Sequence, residues 1–477
     1  MRFNKINPDN LSAVIRNSRE IGWKQRLYMV VTLSIPAIIS QVSAIFMEYI
    51  DASMVGSLGA DASAAIGLVA TTTWLFMGLS SAVAIGFSVQ VAHLLGAGKP
   101  EEARSVLRQA LVATMTFSLL LASSGCAVSH HLPIWLGGKE AITGDASTYF
   151  LIFSFFLPAL QYHFLAGGML RCSGNMLVPG MVGVLMCVLD VAFNFLLIFP
   201  STDITLFGLS FTLPRAGLGV KGAALGTALA ETTTTIILLS YLWFRGRALR
   251  LAGTKGSFRP QADCLKRAFK IGMPVGIERM ITTAAQITLT AIVAPLGICS
   301  LAANSLAITA ESICYMPGYG IGEAGTTLVG QSLGAGRKVL ARQFAYTTVG
   351  MGMAVMTIMG IVMYIAAPLM IGVMTPDPEV LALGVKALRT EAFAEPMFAA
   401  SIVAYGVFVG AGDTVVPSIM NLGSIWIVRV TLAALLAPTL GLHGVWIAMC
   451  AELCFRGVIF LVRLQSGRWM NRIDKLK

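Results

Sequence analysis

Leu95-Gly96-Ala97-Gly98 returns 238 positions later as Leu333-Gly334-Ala335-Gly336. At the same shift Pro36 falls on Pro274, Leu58-Gly59 on Leu296-Gly297, Ala64-Ala65 on Ala302-Ala303 and Arg104 on Arg342. The register holds through Pro158/Pro396, Gly168/Gly406, Gly174/Gly412 and Val178-Pro179/Val416-Pro417. It then slips, and Gly219-x-x-Gly222 matches Gly441-x-x-Gly444 at a shift of 222. The first half therefore carries about sixteen extra residues, placed most simply between Pro200 and Ala216.

The chain has 477 residues, 56% hydrophobic and 12% charged. A soluble domain carries roughly 25% charge, and no soluble core could bury this much apolar chain, so the bilayer is the expected solvent for most of it. Apolar runs long enough to cross fall at 27–50, 63–93, 104–127, 146–170, 176–199, 218–244, 267–296, 301–332, 341–366, 381–410, 414–437 and 443–464. Several exceed the ~20 residues a crossing needs, so tilt or extension past the membrane is expected. Six spans per half is an even number, which makes the duplication a parallel repeat about an axis along the membrane normal. The expected fold is an all-α integral membrane protein of twelve helices in two six-helix lobes. Its expected parts are an N-terminal segment (1–26), an N-lobe (27–244), a basic linker (245–266), a C-lobe (267–464) and a tail (465–477). Two duplicated lobes predict a transporter whose site lies between them and opens to alternate sides.

Lys and Arg sort with these spans. The N-terminal segment holds Arg2, Lys5, Arg16, Arg19, Lys24 and Arg26, and the linker region holds eight more. With Lys99, Arg104, Arg108, Arg171, Arg337, Lys338, Arg342 and five in the tail, twenty-six lie on one side. The other side has Lys139, Arg215, Lys221, Lys386 and Arg389, while Arg279, Arg429 and Arg456 fall inside spans. The rich side is expected to be cytoplasmic, with both termini inside a plasma or inner membrane. The same sorting explains the net charge of +11 without nucleic acid, because the bases follow topology and form no single stripe. Trp243 and Trp469 fall where spans 6 and 12 should meet the interface, as belt residues do. Residues 9–26 suit a short interfacial helix, with Leu11, Val14, Ile15 and Ile21 as its apolar side, or a disordered tail. The N-terminus is polar for too long to be a secretory signal and is expected to be retained.

Ionisable groups inside spans are functional candidates by default. Asp190 sits mid-span in LMCVLDVAFNFLLIF (185–199), with Asn194 one turn later on the same face. A lone buried charge is costly, which suits a group that takes up and releases a proton. Asp51 ends span 1, and its plain reading is a loop carboxylate at the interface. The second half lacks the mirror image: Asp51 maps to Leu289 and Asp190 to Val428. Instead the C-lobe carries Glu278, Glu311, Glu323, Glu391 and Glu395. Glu391 and Glu395 stand one turn apart before a kink expected at Pro396. Such neighbours resist ionising together, so the pair suits proton storage; pairing of these acids with Arg279 or Arg429 as structural glue is the alternative.

Several stretches are distinctive. MPGYGIGEAGTTLVGQSLGAGR (316–337), VFVGAGDTVVPSIMNLGSIWIVR (407–429) and GLHGVWIAMCAELCFR (441–456) resemble the multidrug and toxic compound extrusion (MATE) transporters. YIDASMVGSLGADASAA (49–65) and the segments around 187–195 and 217–231 resemble the matching N-lobe regions. The likeness covers residues 27 to 470 and is closer to the DinF-like branch than to the NorM-like branch. It implies cation-coupled export of drug-like compounds. In the DinF-like branch an aspartate stands at each of the places of Asp51 and Asp190, in an N-lobe cavity where protons or sodium bind. The branch often has an asparagine one turn before the second aspartate. Here that position is Met186, with Asn194 one turn after, which tilts the expectation from sodium toward protons. The NorM-like branch uses C-lobe carboxylates on spans 7 and 10, about one turn from Glu278 and Glu395, so that cation site is not carried over.

The expected activity is secondary active efflux, not enzymatic. An amphiphilic, cationic or aromatic cargo enters a cleft lined by spans 1, 2, 7 and 8, and H+ or Na+ at Asp51 and Asp190 drives its release. Rival readings are a flippase for a lipid-linked precursor, a dedicated metabolite exporter, a non-transporting scaffold and a channel. Intramembrane acids outnumber the three bases, against the first of these, and no filter-like loop repeats, against the last. No cofactor is expected, no metal beyond a possible Na+ at Asp51 and Asp190, and no partner beyond cargo and lipid; a monomer is the expected unit. Gly217-x-Gly219-x-x-Gly222 lacks a βαβ context and reads as a loop-to-helix turn. The absence of a Walker motif argues against direct use of ATP. His130-His131 reads as a solvated pair, and the eight cysteines as small buried hydrophobes.

Overall fold

The computed structural model describes residues 11–18, 20–206 and 209–475. Arg2, Lys5, Arg19 and Lys477 lie outside them. Among the described residues, eleven helices are long and apolar enough to cross a membrane: Trp23–Gly56, Ala60–Gly96, Pro100–Val128, Glu140–Cys172, Leu177–Ile198, Val220–Phe244, Ala262–Leu296, Ile298–Gly334, Lys338–Gly372, Val415–Leu440 and Leu442–Ser466. One further crossing is a pair, Pro378–Glu391 and Glu395–Gly410, bent by 61°. In chain order these are spans 1–12, the bent pair being span 10. Most run well past the minimum, up to 37 residues, so the extra length expected from the sequence is present as helix.

The break in span 10 falls where Pro396 was expected to kink the chain. Pro396 stands in the first turn of the second leg, where its missing N–H costs no hydrogen bond. Lys386 and Arg389 lie on the first leg. The residues that break the repeat's register form a hairpin at the end of span 5: Pro200–Leu206 (β1) pairs antiparallel with Leu209–Ala216 (β2). The duplication thus gained its extra residues as an independent unit outside the helices. At the end of each half, Gly219 and Gly441 take left-handed φ of +57° and +60° to start spans 6 and 12, the loop-to-helix turn read from their motif.

The lobes meet mainly through spans 1, 2, 7 and 8, most closely at the Lys/Arg-rich end. A Cβ built on Gly96 would sit 2.0 Å from the carbonyl oxygen of Gln331, and one on Gly334 would sit 2.1 Å from that of His93. The two contacts are copies of each other at the 238-residue shift. Backbone-to-backbone approach of this kind requires glycine.

Two expectations about this end are corrected. Trp469 is fully buried, donates from Nε1 to the Leu464 carbonyl at 3.1 Å and packs against Phe408. Gly467, in the left-handed region, turns the tail back under the C-lobe, so Trp469 is core and not belt. Trp243 remains 41% exposed, as a belt residue would be. The helix Leu11–Asn17 exists, but its apolar side faces protein. Leu11, Ile15 and Ile21 are buried in one cluster with Val329, Leu333, Phe408 and Trp469, each worth roughly 1.5–3 kcal/mol of burial. Arg337 of the loop after span 8 donates to the Ile15 carbonyl at 2.6 Å, and Arg26 donates to Gln343 of span 9 at 2.8 Å. The Arg16 guanidinium lies against Gly98, in the loop after span 2. Residues 11–18 and 20–26 therefore strap the two lobes together across the Lys/Arg-rich end.

Candidate functional site

Spans 1 and 5 pack tightly, with Gly180 and Gly183 of span 5 opposite Pro36 and Ser40 of span 1. This brings Asp51, near the end of span 1, to the face of span 5 that carries Asp190 and Asn194. The Asn194 amide Nδ2 donates to Asp51 Oδ1 at 2.8 Å and to Asp190 Oδ2 at 3.0 Å. One side chain thus bridges two carboxylates 139 positions apart in the chain. Asp190 and Asn194 are fully buried, Asp51 half-buried. Span 6 closes the site: a Cβ on Gly226 would lie 2.0 Å from Asn194 Oδ1, so only glycine leaves the amide its place. Two oxygens in the site, Asp190 Oδ1 and Asn194 Oδ1, have no hydrogen-bond partner among the described residues. A buried oxygen without a donor is costly and is an acceptor for a small cation or a proton. Sequence reading did not single out Glu231, which is buried on span 6; its position in an otherwise apolar span was the available signal.

Between the lobes lies a cavity of about 360 Å³. Spans 1, 2, 7 and 8 line it, as expected, but so do spans 4, 10, 11 and 12. Its polar lining includes Gln41, Arg171, Glu278, Arg279, Glu323 and Tyr405. Arg171, expected in a loop, belongs to the last turn of span 4, and its Nε lies 3.5 Å from Glu323 Oε2. Gln41 of span 1 donates to the other Glu323 oxygen at 3.4 Å. Glu278 accepts from Tyr405 Oη and Ser418 Oγ, both at 2.6 Å, and from Asn421 Nδ2 at 2.7 Å.

The five C-lobe acids divide in two: Glu278 and Glu323 face the interlobe cavity, while Glu311, Glu391 and Glu395 lie close enough to act on one another through space. Glu311 lines a second cavity, of about 210 Å³, together with Arg429 and Arg456. Glu391 and Glu395 flank the break in span 10; both are fully buried, and none of their four carboxyl oxygens has a hydrogen-bond partner among the described residues. Among the described residues no ion pair within 4.0 Å joins these acids to Arg279 or Arg429, the alternative weighed above, although Arg429 acts on Glu311 and Glu391 through space. Arg429, turned inward on a π-helical stretch (Ser424–Val430), lies 4.0 Å from Glu452, which also pairs with Arg456 at 2.8 Å. Glu452 is the acid that neutralises these two bases, and the sequence reading did not single it out. A second such knot, the fully buried Asp413 with Arg463 and Arg472, was likewise not singled out.

Comparison with known proteins agrees with this architecture. The MatE family profile matches residues 36–196 and 274–435, two blocks that begin on the repeat's own proline pair. A probable multidrug resistance protein NorM of Thermotoga maritima is 24% identical over 444 residues, covering 93% of each chain. Another protein of that name, from Neisseria meningitidis serogroup B, is 26% identical and covers 94% of this chain and 96% of its own. A MOP-superfamily transporter from Pyrococcus furiosus shares the fold with a TM-score of 0.85, at 19% identity over 98% of both chains. A Vibrio cholerae MATE transporter does so with a TM-score of 0.84, at 18% identity over 95% of this chain and 99% of its own. Matched in each half by one profile and along nearly its whole length by these relatives, the chain belongs to the MatE family, as a multi-pass membrane transporter of small molecules and not an enzyme.

Proposed function

We propose that the chain is an efflux antiporter of the plasma membrane. Amphiphilic, aromatic-bearing compounds leave the cell through the interlobe cleft in exchange for protons bound at Asp51 and Asp190. The Lys/Arg-rich end and both termini face the cytoplasm, and one chain supplies the whole path, so a monomer suffices. The observation that carries this reading is the Asp51–Asn194–Asp190 bridge, with the buried Asp190 Oδ1 left open. Protonating Asp51 weakens the acceptor that holds Asn194 across to span 1 and so loosens span 1 from span 5, while protonating Asp190 weakens the amide's second bond, within span 5, and lets Asn194 reorient. Span 1 also lines the cleft through Gln41, so the coupling site and the cargo path share a helix. An ion can drive export only if it binds the two end states differently, and a bridge between movable helices supplies that difference.

The curated relatives carry the NorM name, while the two aspartates favour the DinF-like branch. Protons are favoured over Na+ because Asn194 presents its N–H group, and not its oxygen, to both carboxylates. One observation supports a second reading, coupling in the C-lobe: Glu391 and Glu395 present four buried oxygens without donors.

The test is dye flux from proteoliposomes under an imposed proton gradient, then under a sodium gradient. It compares native protein with Asp190→Asn and Glu391→Gln. Flux driven by the proton gradient and abolished in Asp190→Asn is expected. Flux that survives Asp190→Asn and fails in Glu391→Gln would move coupling to span 10, and flux driven by sodium alone would replace the ion.

A further inference from the structure

The cleft holds three guanidinium groups, and two have a carboxylate partner. Arg171 pairs with Glu323 at 3.5 Å and Arg456 with Glu452 at 2.8 Å. Arg279 has none: among the described residues no carboxylate lies within 4.0 Å of it. Its neighbour in sequence, Glu278, points elsewhere, because successive helix residues stand about 100° apart. Both Glu278 oxygens are occupied by Tyr405, Ser418 and Asn421, side chains of spans 10 and 11. Those donors are neutral, so Glu278 keeps its charge and acts on Arg279 through space without forming an ion pair with it.

Arg279 lies in the middle of span 7 and is exposed to the cavity. Its stem crosses to the other lobe, where a Cβ on Gly78 of span 2 would lie 3.1 Å from Arg279 Cβ. An intramembrane arginine without a partner is costly unless something in the cavity meets it. Its planar fork fits a carboxylate through two parallel hydrogen bonds. Phe164, Tyr319 and Tyr405 line the same cavity and offer aromatic surface for an apolar body.

We propose that Arg279 is the anion-recognition residue of the cleft, and that the cargo is an amphiphilic organic acid. Its carboxylate pairs with Arg279 and its apolar part lies along the aromatic lining. The inference rests on reading the cleft as the cargo path. It departs from the cationic part of the cargo expected from the sequence and keeps the amphiphilic, aromatic part, because the sequence does not show that Glu278 is held by other side chains while Arg279 faces the cavity. Glu323 and Glu452 have arginine partners and Glu278 is held by three neutral donors, so among the described residues Arg279 is the cleft guanidinium whose own N–H groups no carboxylate takes up. Since the stem of Arg279 rests on span 2 while its backbone belongs to span 7, relative movement of the lobes alters the pocket around the bound acid.

The test uses the full chain and two probes: a xanthene dye with a free carboxylate, and the same dye as its methyl ester. Equilibrium binding is read by fluorescence anisotropy in detergent, and gradient-driven flux is read in proteoliposomes. The native protein should bind the acid more tightly than the ester. Arg279→Gln should weaken the acid about tenfold to a hundredfold, the range for a charge-assisted pair, and leave the ester within about twofold. Arg279→Lys should restore part of the loss. Thr282→Glu, which sets a carboxylate one turn away on the cavity wall, should also displace the acid and spare the ester. This second variant decides the matter if Arg279→Gln fails to fold. Equal binding of both dyes by native protein, or equal losses for both in the variants, would overturn the inference. Native flux of the ester alone would refute it while leaving the antiporter intact. Absence of gradient-driven flux for either dye would sink the antiporter reading, and the binding titration would still decide the role of Arg279.

Discussion

His93 and Gln331 occupy the same place in the two halves of the duplicated chain, and each hydrogen-bonds across the lobe interface. His93 Nε2 donates to the carbonyl of Gly410 at 2.8 Å, and Gln331 Nε2 donates to that of Cys172 at 2.9 Å. Gly410 and Cys172 are themselves partners at the 238-residue shift. The lobes are therefore latched at the Lys/Arg-rich end by one contact used twice, beside the Gly96 and Gly334 approaches. An interface of two equal contacts can open by rocking, because both are lost together.

Removing the latch should favour the form open at that end. Each hydrogen bond contributes about 1 kcal/mol, which shifts a two-state balance roughly fivefold. In a chain retaining Cys172 as its sole cysteine, His93→Leu with Gln331→Leu should raise the rate of Cys172 alkylation from the Lys/Arg-rich side by about tenfold or more. An unchanged rate would show that the latch does not govern access.

Gly226→Ala should damage coupling before it damages cargo binding. The added methyl would meet Asn194 Oδ1 at 2.0 Å, so the bridging amide must move or the helices must part. A crowded core position costs about 1–3 kcal/mol. Proton-driven flux should fall at least tenfold while dye affinity stays within about twofold; flux equal to native would remove Asn194 from the mechanism.

Glu452→Gln should be severe for stability. Glu452 is fully buried and neutralises Arg456 and Arg429, both of them mostly buried. Breaking a buried pair by removing one partner typically costs about 3–5 kcal/mol. Thermal unfolding in detergent should show a large drop in Tm. Arg429→Leu should cost less, since its contact with Glu452 is the longer one, at 4.0 Å. A larger loss in Arg429→Leu than in Glu452→Gln would invert this ranking.

The N-terminal strap should act as a brake. Ile15→Asp puts a charge into the cluster of Val329, Leu333 and Trp469 and should undock residues 11–22. Protease cleavage within that segment should accelerate severalfold while the melting of the two lobes changes little. A concerted fall in Tm would make the strap part of the core instead.

What the sequence revealed and what it hid divide along range. The spans were legible because lipid demands long apolar helices, and the insertion was legible because it breaks the repeat's register at Pro200–Ala216; that it folds as a hairpin was not read from the sequence. Asp190 with Asn194 could be read from helical spacing. That Asn194 also reaches Asp51 could not be derived from spacing, because it depends on how span 1 packs on span 5; only the family resemblance grouped the two aspartates. The surroundings of Arg279 were hidden for the same reason: pairing with the C-lobe acids stayed open as an alternative, and only the packing shows that Tyr405, Ser418 and Asn421, far away in sequence, engage Glu278. Trp469 was placed in the interface because its position after span 12 says nothing of the turn at Gly467 that folds it inward.

The most direct test of coupling at Asp51 and Asp190 counts protons. Purified protein in weakly buffered detergent, near neutral pH, is titrated with a transported dye while released protons are followed with an indicator. Native protein should release protons on cargo binding, and Asp190→Asn should bind the dye and release none. Undiminished release from Asp190→Asn would contradict the assignment and place the exchanging carboxylate elsewhere, with Glu391 and Glu395 next to be examined.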